Sequence, residues 1–300
     1  NRSSLIKNMG LPFKLVKSFF QVRKIINSFQ PDAVIGVGGY SSFPVLRYAQ
    51  SKGIATFIHE SNSFAGKSNI LLGKNATKVF VASDKMEKFF PAEKLMITGN
   101  PVRSAIAHAA VSREEALKFF GLNTGKKTVL VVGGSLGAKS INEAIDAGID
   151  QFEQNDLQLI WQTGKPYAAH GKARAKDKSN VWVNDFIKEM ENAYAAADMV
   201  ISRAGAMAIA EICLVAKPAV FVPYPHAAED HQTVNAQHLV DKQAGLMVKD
   251  SEAKEKLMSS IIVLAKDDAK QTKLKQNIAK LGVADADSVI ATEVLKLIKK

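Results

Sequence analysis

A single cysteine among 300 residues, Cys213, excludes an internal disulfide. Its setting in Ile209-Ala210-Glu211-Ile212-Cys213-Leu214 reads as a buried core thiol. No apolar run comes near the ~20 residues that a membrane-spanning helix requires. Internal repeats and low-complexity tracts are absent, and no signal-peptide pattern stands at the start, where the first residue is Asn. Two familiar phosphate motifs are missing as well. A Walker loop places Gly directly before its Lys, whereas here Ala138 precedes Lys139. In Gly36-Val37-Gly38-Gly39-Tyr40-Ser41 the dinucleotide fingerprint fails at its third glycine, where Ser41 stands. ATP hydrolysis and dinucleotide chemistry are therefore not expected.

What the chain does have is ordinary globular material with a basic balance. Hydrophobic residues make up 47% and charged residues 23%, and the length accommodates two domains of about 100–200 residues each. The net charge of +11 suits nucleic acid, an anionic lipid surface or a phosphorylated ligand. The basic residues are mostly scattered lysines, not arginine-rich tracts with interleaved aromatics. Lipid or a phosphorylated ligand is therefore the expected partner, and nucleic acid is not.

Short apolar runs alternate with helical patterns. Strands are predicted at 33–37, 56–59, 78–82, 95–98, 128–132, 158–162, 181–183, 199–201 and 219–222. Helices are predicted between them, among others at 14–29, 113–120, 141–150, 190–196 and 206–215. Such alternation gives parallel sheets covered on both faces, an α/β class. A boundary falls near Thr98-Gly99-Asn100-Pro101-Val102-Arg103. Residues 1–103 read as the later part of a first domain, whose beginning is expected before Asn1. Residues 104–285 read as a complete doubly wound domain, and 286–300 as a closing helix that packs back on the first.

Several segments carry chemistry. Val131-Val132-Gly133-Gly134-Ser135-Leu136-Gly137-Ala138 is a strand, a tight glycine turn and a helix start, an arrangement whose backbone N–H groups converge on a phosphate. Ser202-Arg203-Ala204-Gly205-Ala206-Met207-Ala208-Ile209-Ala210-Glu211 repeats the pattern. Glu211 there can accept both hydroxyls of a ribose, or else is a solvated charge on a small-residue helix. After Pro223-Tyr224-Pro225, Gln232 and Asn235 stand three apart on one helix face, where paired amides can read sugar hydroxyls, or else the segment only caps its helix. His226, Glu229 and His231 lack metal-ligand spacing, so no metal is expected. His59-Glu60 ends a strand, where His59 can shuttle a proton with Glu60 as partner, or the pair can cap a helix. In the first helix, Leu15, Phe19, Val22, Ile26 and Phe29 make a core face. Phe13, Val16 and Phe20 form a second stripe flanked by Lys7, Lys14, Lys17, Arg23 and Lys24. That pattern fits a peripheral membrane contact, or a helix buried on two sides.

Taken in order, six motifs resemble one family. They are Gly38-Gly39-Tyr40, His59-Glu60-Ser61-Asn62, Gly99-Asn100-Pro101-Val102-Arg103, Gly133-Gly134-Ser135-Leu136-Gly137-Ala138, the Arg203 to Glu211 segment and His231-Gln232-x-x-Asn235. The sequence is similar to the MurG family of bacterial N-acetylglucosaminyltransferases over nearly its whole length. The resemblance implies a GT-B fold, two Rossmann-like doubly wound domains with a cleft between them. It implies inverting transfer of GlcNAc from UDP-GlcNAc to the C4 hydroxyl of undecaprenyl-pyrophosphoryl-MurNAc-pentapeptide, without a metal or other cofactor. The enzyme is then expected on an anionic membrane surface, at the cytoplasmic face of the inner membrane.

By the same resemblance, Ile187 would hold the uracil and Glu211 the ribose. Ser135, Arg103 and the backbone of Ala206, Met207 and Ala208 would hold the diphosphate, with Ile209 and Ala210 in the same segment. Gln232, Asn235 and Asn62 would read the sugar. Tyr40, Asn69, Asn142 and Arg203 match further family positions, and the family's membrane patch matches the region of Met9, Phe13, Lys14, Val16, Lys17 and Phe20. One expected feature has no counterpart, a glycine-rich first loop ending in His that serves the acceptor. A UDP-GlcNAc epimerase of the same fold and an inert UDP-sugar-binding subunit are the alternatives.

Overall fold

The computed structural model describes residues 11–298; Met9 and the side chains of Phe13, Lys14, Leu15 and Val16 lie outside the described residues. The chain divides into two compact units, Asn1–Asn100 with Asp285–Lys300, and Pro101–Ala284. Arg103 therefore goes with the second unit.

In the first unit, α1 (Leu11–Phe29) is followed by β1 (Ala33–Gly36), α2 (Ser42–Ser51), β2 (Ala55–Glu60), α3 (Lys67–Gly73), β3 (Lys78–Val81) and β4 (Leu95–Ile97). The strands pair in parallel in chain order, as helical crossovers between successive strands require. Side chains alternate across each strand. Ile58, Val79 and Val81 thus enter a core with Leu46 and Leu72. Phe57 and Phe80 face the other way, stacked with centroids 6.0 Å apart, and pack with Val294 of the closing helix Ala286–Ile298.

Val22 and Ile26 of α1 are buried against Ala49 of α2. Phe29, assigned to the same face by its spacing, is instead 77% exposed. The 4-3-4-3 pattern repeats every 3.5 residues and drifts by about 20° per heptad around a straight helix of 3.6, which carries its last member off the buried face.

The second unit runs α4 (Ser104–Ala107), α5 (Arg113–Phe119), β5 (Lys127–Val132), α6 (Lys139–Ala147), α7 (Asp150–Gln154), β6 (Leu157–Gln162), α8 (Ala168–Ala175), β7 (Val181–Asn184), α9 (Met190–Ala196), β8 (Met199–Ser202), α10 (Ala206–Leu214), β9 (Ala219–Phe221), α11 (His231–Asp241), β10 (Leu246–Met247), α12 (Ala253–Lys266) and α13 (Asp268–Ala279). Its sheet is parallel throughout in the order β10-β9-β8-β5-β6-β7. Both faces are covered. Leu130, Ile160 and Val200 point to a core with Leu117, Tyr194 and Ile212. Val129, Leu159, Trp161 and Ile201 point to another with Ile141, Leu257 and Ile261.

The strand order reverses between β5 and β8, which are paired with Val132 opposite Ser202. At such a switch point the loops leaving the two strands diverge and open a crevice at their carboxyl ends, where α/β sheets bind ligands. The two loops in question are the glycine turn after β5 and the Ser202 to Gly205 turn after β8.

Candidate active site

A cavity of about 1020 Å³ lies at that switch point, within the second unit. The glycine turn forms one wall. Gly134 and Gly137 adopt φ of 86° and 74°, left-handed values that disfavour side chains. A Cβ on Gly137 would stand 1.9 Å from the Thr163 carbonyl, so glycine is also required by close approach. The turn closes through Gly137 N donating to Gly134 O at 2.9 Å, and it leaves Ser135 exposed on the cavity wall. Asn142, on α6, is 3% exposed and braces the neighbouring loop from beneath. Its amide donates to Thr163 O (2.7 Å) and accepts from Trp161 Nε1 (3.0 Å), so its role is to hold the turn rather than to meet a ligand.

The opposite wall is the start of α10. Gly205 at its N-cap offers no capping side chain, and the first intrahelical bond runs from Ile209 N to Gly205 O. The amides of Ala206, Met207 and Ala208 precede that bond in the first turn, so this end carries the positive pole of the helix dipole. Along the helix, Ala208 and Glu211 face the cavity, one turn apart. Ile209 and Ala210 pack instead on the core.

Glu211 is shielded, with 12% of its side chain exposed. Arg103 donates to its Oε1 through Nε (3.3 Å) and Nη2 (3.2 Å), and Tyr194 donates to its Oε2 at 2.9 Å. Burial first, and then the Glu211 charge, push the Tyr194 phenol well above its ordinary value, so it stays protonated.

A clasp under the cavity ties its walls together. Arg203 donates to the carbonyls of Val222 (3.0 Å) and Pro223 (3.2 Å), to Asp250 and to Ser140 Oγ (3.1 Å). Gln232 lies on the wall, where its Oε1 accepts from Tyr224 N at 2.9 Å. Asn235, expected to share that face, is 4% exposed and donates to Ala204 O at 3.2 Å, which places it behind the wall. Ile187 is 2% exposed, and its N–H is given to Gln162 Oε1 at 3.2 Å. Among the described residues, no three His, Cys, Asp or Glu side chains gather as a metal-holding group.

The remaining candidates lie in the first unit. Glu60 is 4% exposed and accepts four hydrogen bonds, from Asn62 N (3.1 Å) and Nδ2 (3.3 Å), Gly66 N (3.0 Å) and Asn69 Nδ2 (2.8 Å). Four donors saturate a carboxylate. Glu60 therefore braces the loop after β2 and the start of α3. Asn62 and Asn69 are its supports. His59 is 5% exposed, with Nε2 3.0 Å from Gly99 O and Nδ1 3.2 Å from Ser61 Oγ. A carbonyl only accepts, so Nε2 donates to Gly99; in the neutral imidazole Nδ1 is then the acceptor facing Ser61 Oγ. Tyr40 is 82% exposed beside Gly38 and Gly39, whose φ values are 90° and 82°.

Comparison with known proteins fits this arrangement. The Glycosyltransferase family 28 C-terminal domain matches residues 128–290, and the family's N-terminal domain matches residues 1–81. The chain is 49% identical to a UDP-N-acetylglucosamine--N-acetylmuramyl-(pentapeptide) pyrophosphoryl-undecaprenol N-acetylglucosamine transferase of Phocaeicola vulgatus, over 100% of this chain and 81% of that protein. This chain belongs to glycosyltransferase family 28. Among solved structures it is similar to MurG of Acinetobacter baumannii, with a TM-score of 0.78 and 30% identity over 96% of this chain and 79% of that one. The UDP-GlcNAc 2-epimerase of Neisseria meningitidis, solved bound to UDP-GlcNAc, has a TM-score of 0.69 at 13% identity over 96% of this chain and 83% of its own, a likeness of fold alone. The two parallel-sheet units are those of the GT-B class.

Three cavity residues of this glycosyltransferase escape a reading of its sequence. Gln162, 4% exposed, links the glycine turn to Ile187 by donating to Gly134 O at 3.0 Å. A glutamine closing the otherwise apolar strand Leu157–Gln162 was its one signal. Tyr194 and Asp250 carry no local signal, since their partners Glu211 and Arg203 are distant in sequence.

Proposed function

We propose that this family 28 member is an inverting N-acetylglucosaminyltransferase of peptidoglycan synthesis. It moves GlcNAc from UDP-GlcNAc to the C4 hydroxyl of lipid-linked MurNAc-pentapeptide. The activity named for the Phocaeicola vulgatus relative supports the substrates. One observation carries the donor chemistry: a shielded carboxylate, Glu211, paired with Arg103 beside the dipole-positive start of α10. Glu211 suits a ribose diol, and Arg103 with the helix amides suits a diphosphate. Ser135 adds a hydroxyl donor, Ile187 a backbone carbonyl for the base, and Gln232 an amide for the sugar.

In the reaction the acceptor hydroxyl attacks C1 of GlcNAc. The bond from C1 to the phosphate oxygen breaks, and its electron pair leaves with UDP. Charge grows on the departing diphosphate, where Arg103 and the α10 amides are already oriented to receive it. In this scheme they take the part that a metal ion plays elsewhere. For the acceptor proton, the first unit offers Nδ1 of His59, whose lone pair Ser61 now occupies.

The lipid-linked acceptor places the enzyme peripherally at the cytoplasmic face of the inner membrane. No helix among the described residues is long and apolar enough to cross it. The test is to incubate the protein with UDP-GlcNAc and the lipid acceptor in the presence of EDTA. Disaccharide lipid and UDP are expected in equal amounts. C2 epimerisation without acceptor, or donor binding with no turnover, would contradict the proposal.

A further inference from the structure

We infer that Tyr194 is a positioning residue, whose hydroxyl holds Glu211 in the orientation that accepts a ribose diol. This rests on the reading of Glu211 proposed above. Tyr194 is 2% exposed in the core on the α9 side of the sheet. Phenylalanine would fill the same space without bringing a polar group that must be satisfied. The hydroxyl stands 2.9 Å from Glu211 Oε2, and an ionised carboxylate only accepts, so the phenol donates.

The consequence shows in Arg103. A guanidinium fork ordinarily takes both oxygens of a carboxylate. Here Nε and Nη2 of Arg103 both go to Oε1, at 3.3 and 3.2 Å. Tyr194 keeps Oε2 and so prevents the fork from closing. Arg103, with 54% of its side chain exposed, is left with a single-oxygen contact that it can exchange for a diphosphate. Glu211 stays anchored from behind when that happens. Without the hydroxyl, Glu211 is free to turn away from the orientation that receives the ribose diol, while Arg103 still exchanges its contact for the diphosphate.

The experiment measures binding of UDP and of 2′,3′-dideoxy-UDP by calorimetry to the wild type, Tyr194→Phe, Glu211→Ala and the double variant. The wild type is expected to prefer UDP, and Tyr194→Phe to lose about tenfold of that preference, the scale of one hydrogen bond to a charged group. Affinity for dideoxy-UDP should be retained, which also shows that the variant is folded. Tyr194→Phe should add nothing in the Glu211→Ala background. A preference undiminished in Tyr194→Phe, or an equal loss for both ligands, overturns the positioning role while leaving Glu211 in place. Equal binding of the two ligands by the wild type overturns the reading of Glu211, and this inference with it.

Discussion

At the scale of residues, the two units use shielded carboxylates in opposite ways. Glu60 accepts from four donors, three in the loop after β2 and one on α3, and holds that loop in shape. Glu211 has only a phenol and a single-oxygen arginine contact, both at the edge of a large cavity. A carboxylate with spare acceptor capacity is the one able to receive a ligand's hydroxyls. Replacing Glu211 by Ala is therefore expected to weaken UDP binding by about 1.5–3 kcal/mol, the range for hydrogen bonds to a charged group. Isothermal titration checks this, and an unchanged affinity removes Glu211 from the site. Cys213 shows the contrasting case of a side chain spent on packing. Burial pushes its thiol up to about 12, so it stays protonated and unreactive at neutral pH.

At the scale of elements, α1 combines a packed face with an unpacked one. Val22 and Ile26 are buried on α2, while Lys17, Phe20 and Lys24 are exposed along another face, Phe20 by 67%. An exposed aromatic between lysines suits an anionic bilayer surface, because the ring enters the headgroup region while the ammonium groups meet lipid phosphates. The variant Lys17→Glu with Phe20→Ser is expected to sediment less with anionic vesicles, and the difference should shrink at high salt. Equal sedimentation of variant and wild type would reject α1 as the contact.

Elements were also where the sequence was most legible. Strands β1 to β9 stand out because each is a short apolar run closed by Gly, Pro, Ser, Asn or Thr. β10 was invisible because two residues, Leu246 and Met247, carry no period. The helix predicted at 141–150 begins two residues earlier and is broken at Gly148, between α6 and α7. The site divides the same way. Glu211, Ser135 and Gln232 sit in local motifs that reveal them. Gln162, Tyr194 and Asp250 act through partners brought near only by the fold. Asn235 was misplaced because helical spacing assigns a shared face but not which member of it is covered.

At the scale of the whole molecule, the fold explains why a phosphate-binding chain needs neither phosphate motif that it lacks. Reversal of strand order between β5 and β8 sets a glycine turn and a helix start on the two sides of one crevice. In the proposed donor site, backbone amides and the helix dipole take the place of a Walker lysine. Arg103 enters from the first residues of the second unit and completes the positive side.

The most direct test is a crystal structure of the protein with UDP-GlcNAc. The ribose is expected against Glu211, with the diphosphate between Arg103 and the amides that open α10, and the Arg103 contact to Glu211 exchanged for phosphate. Donor bound outside this cavity, or a cavity left empty with Arg103 still on Glu211, would contradict the account.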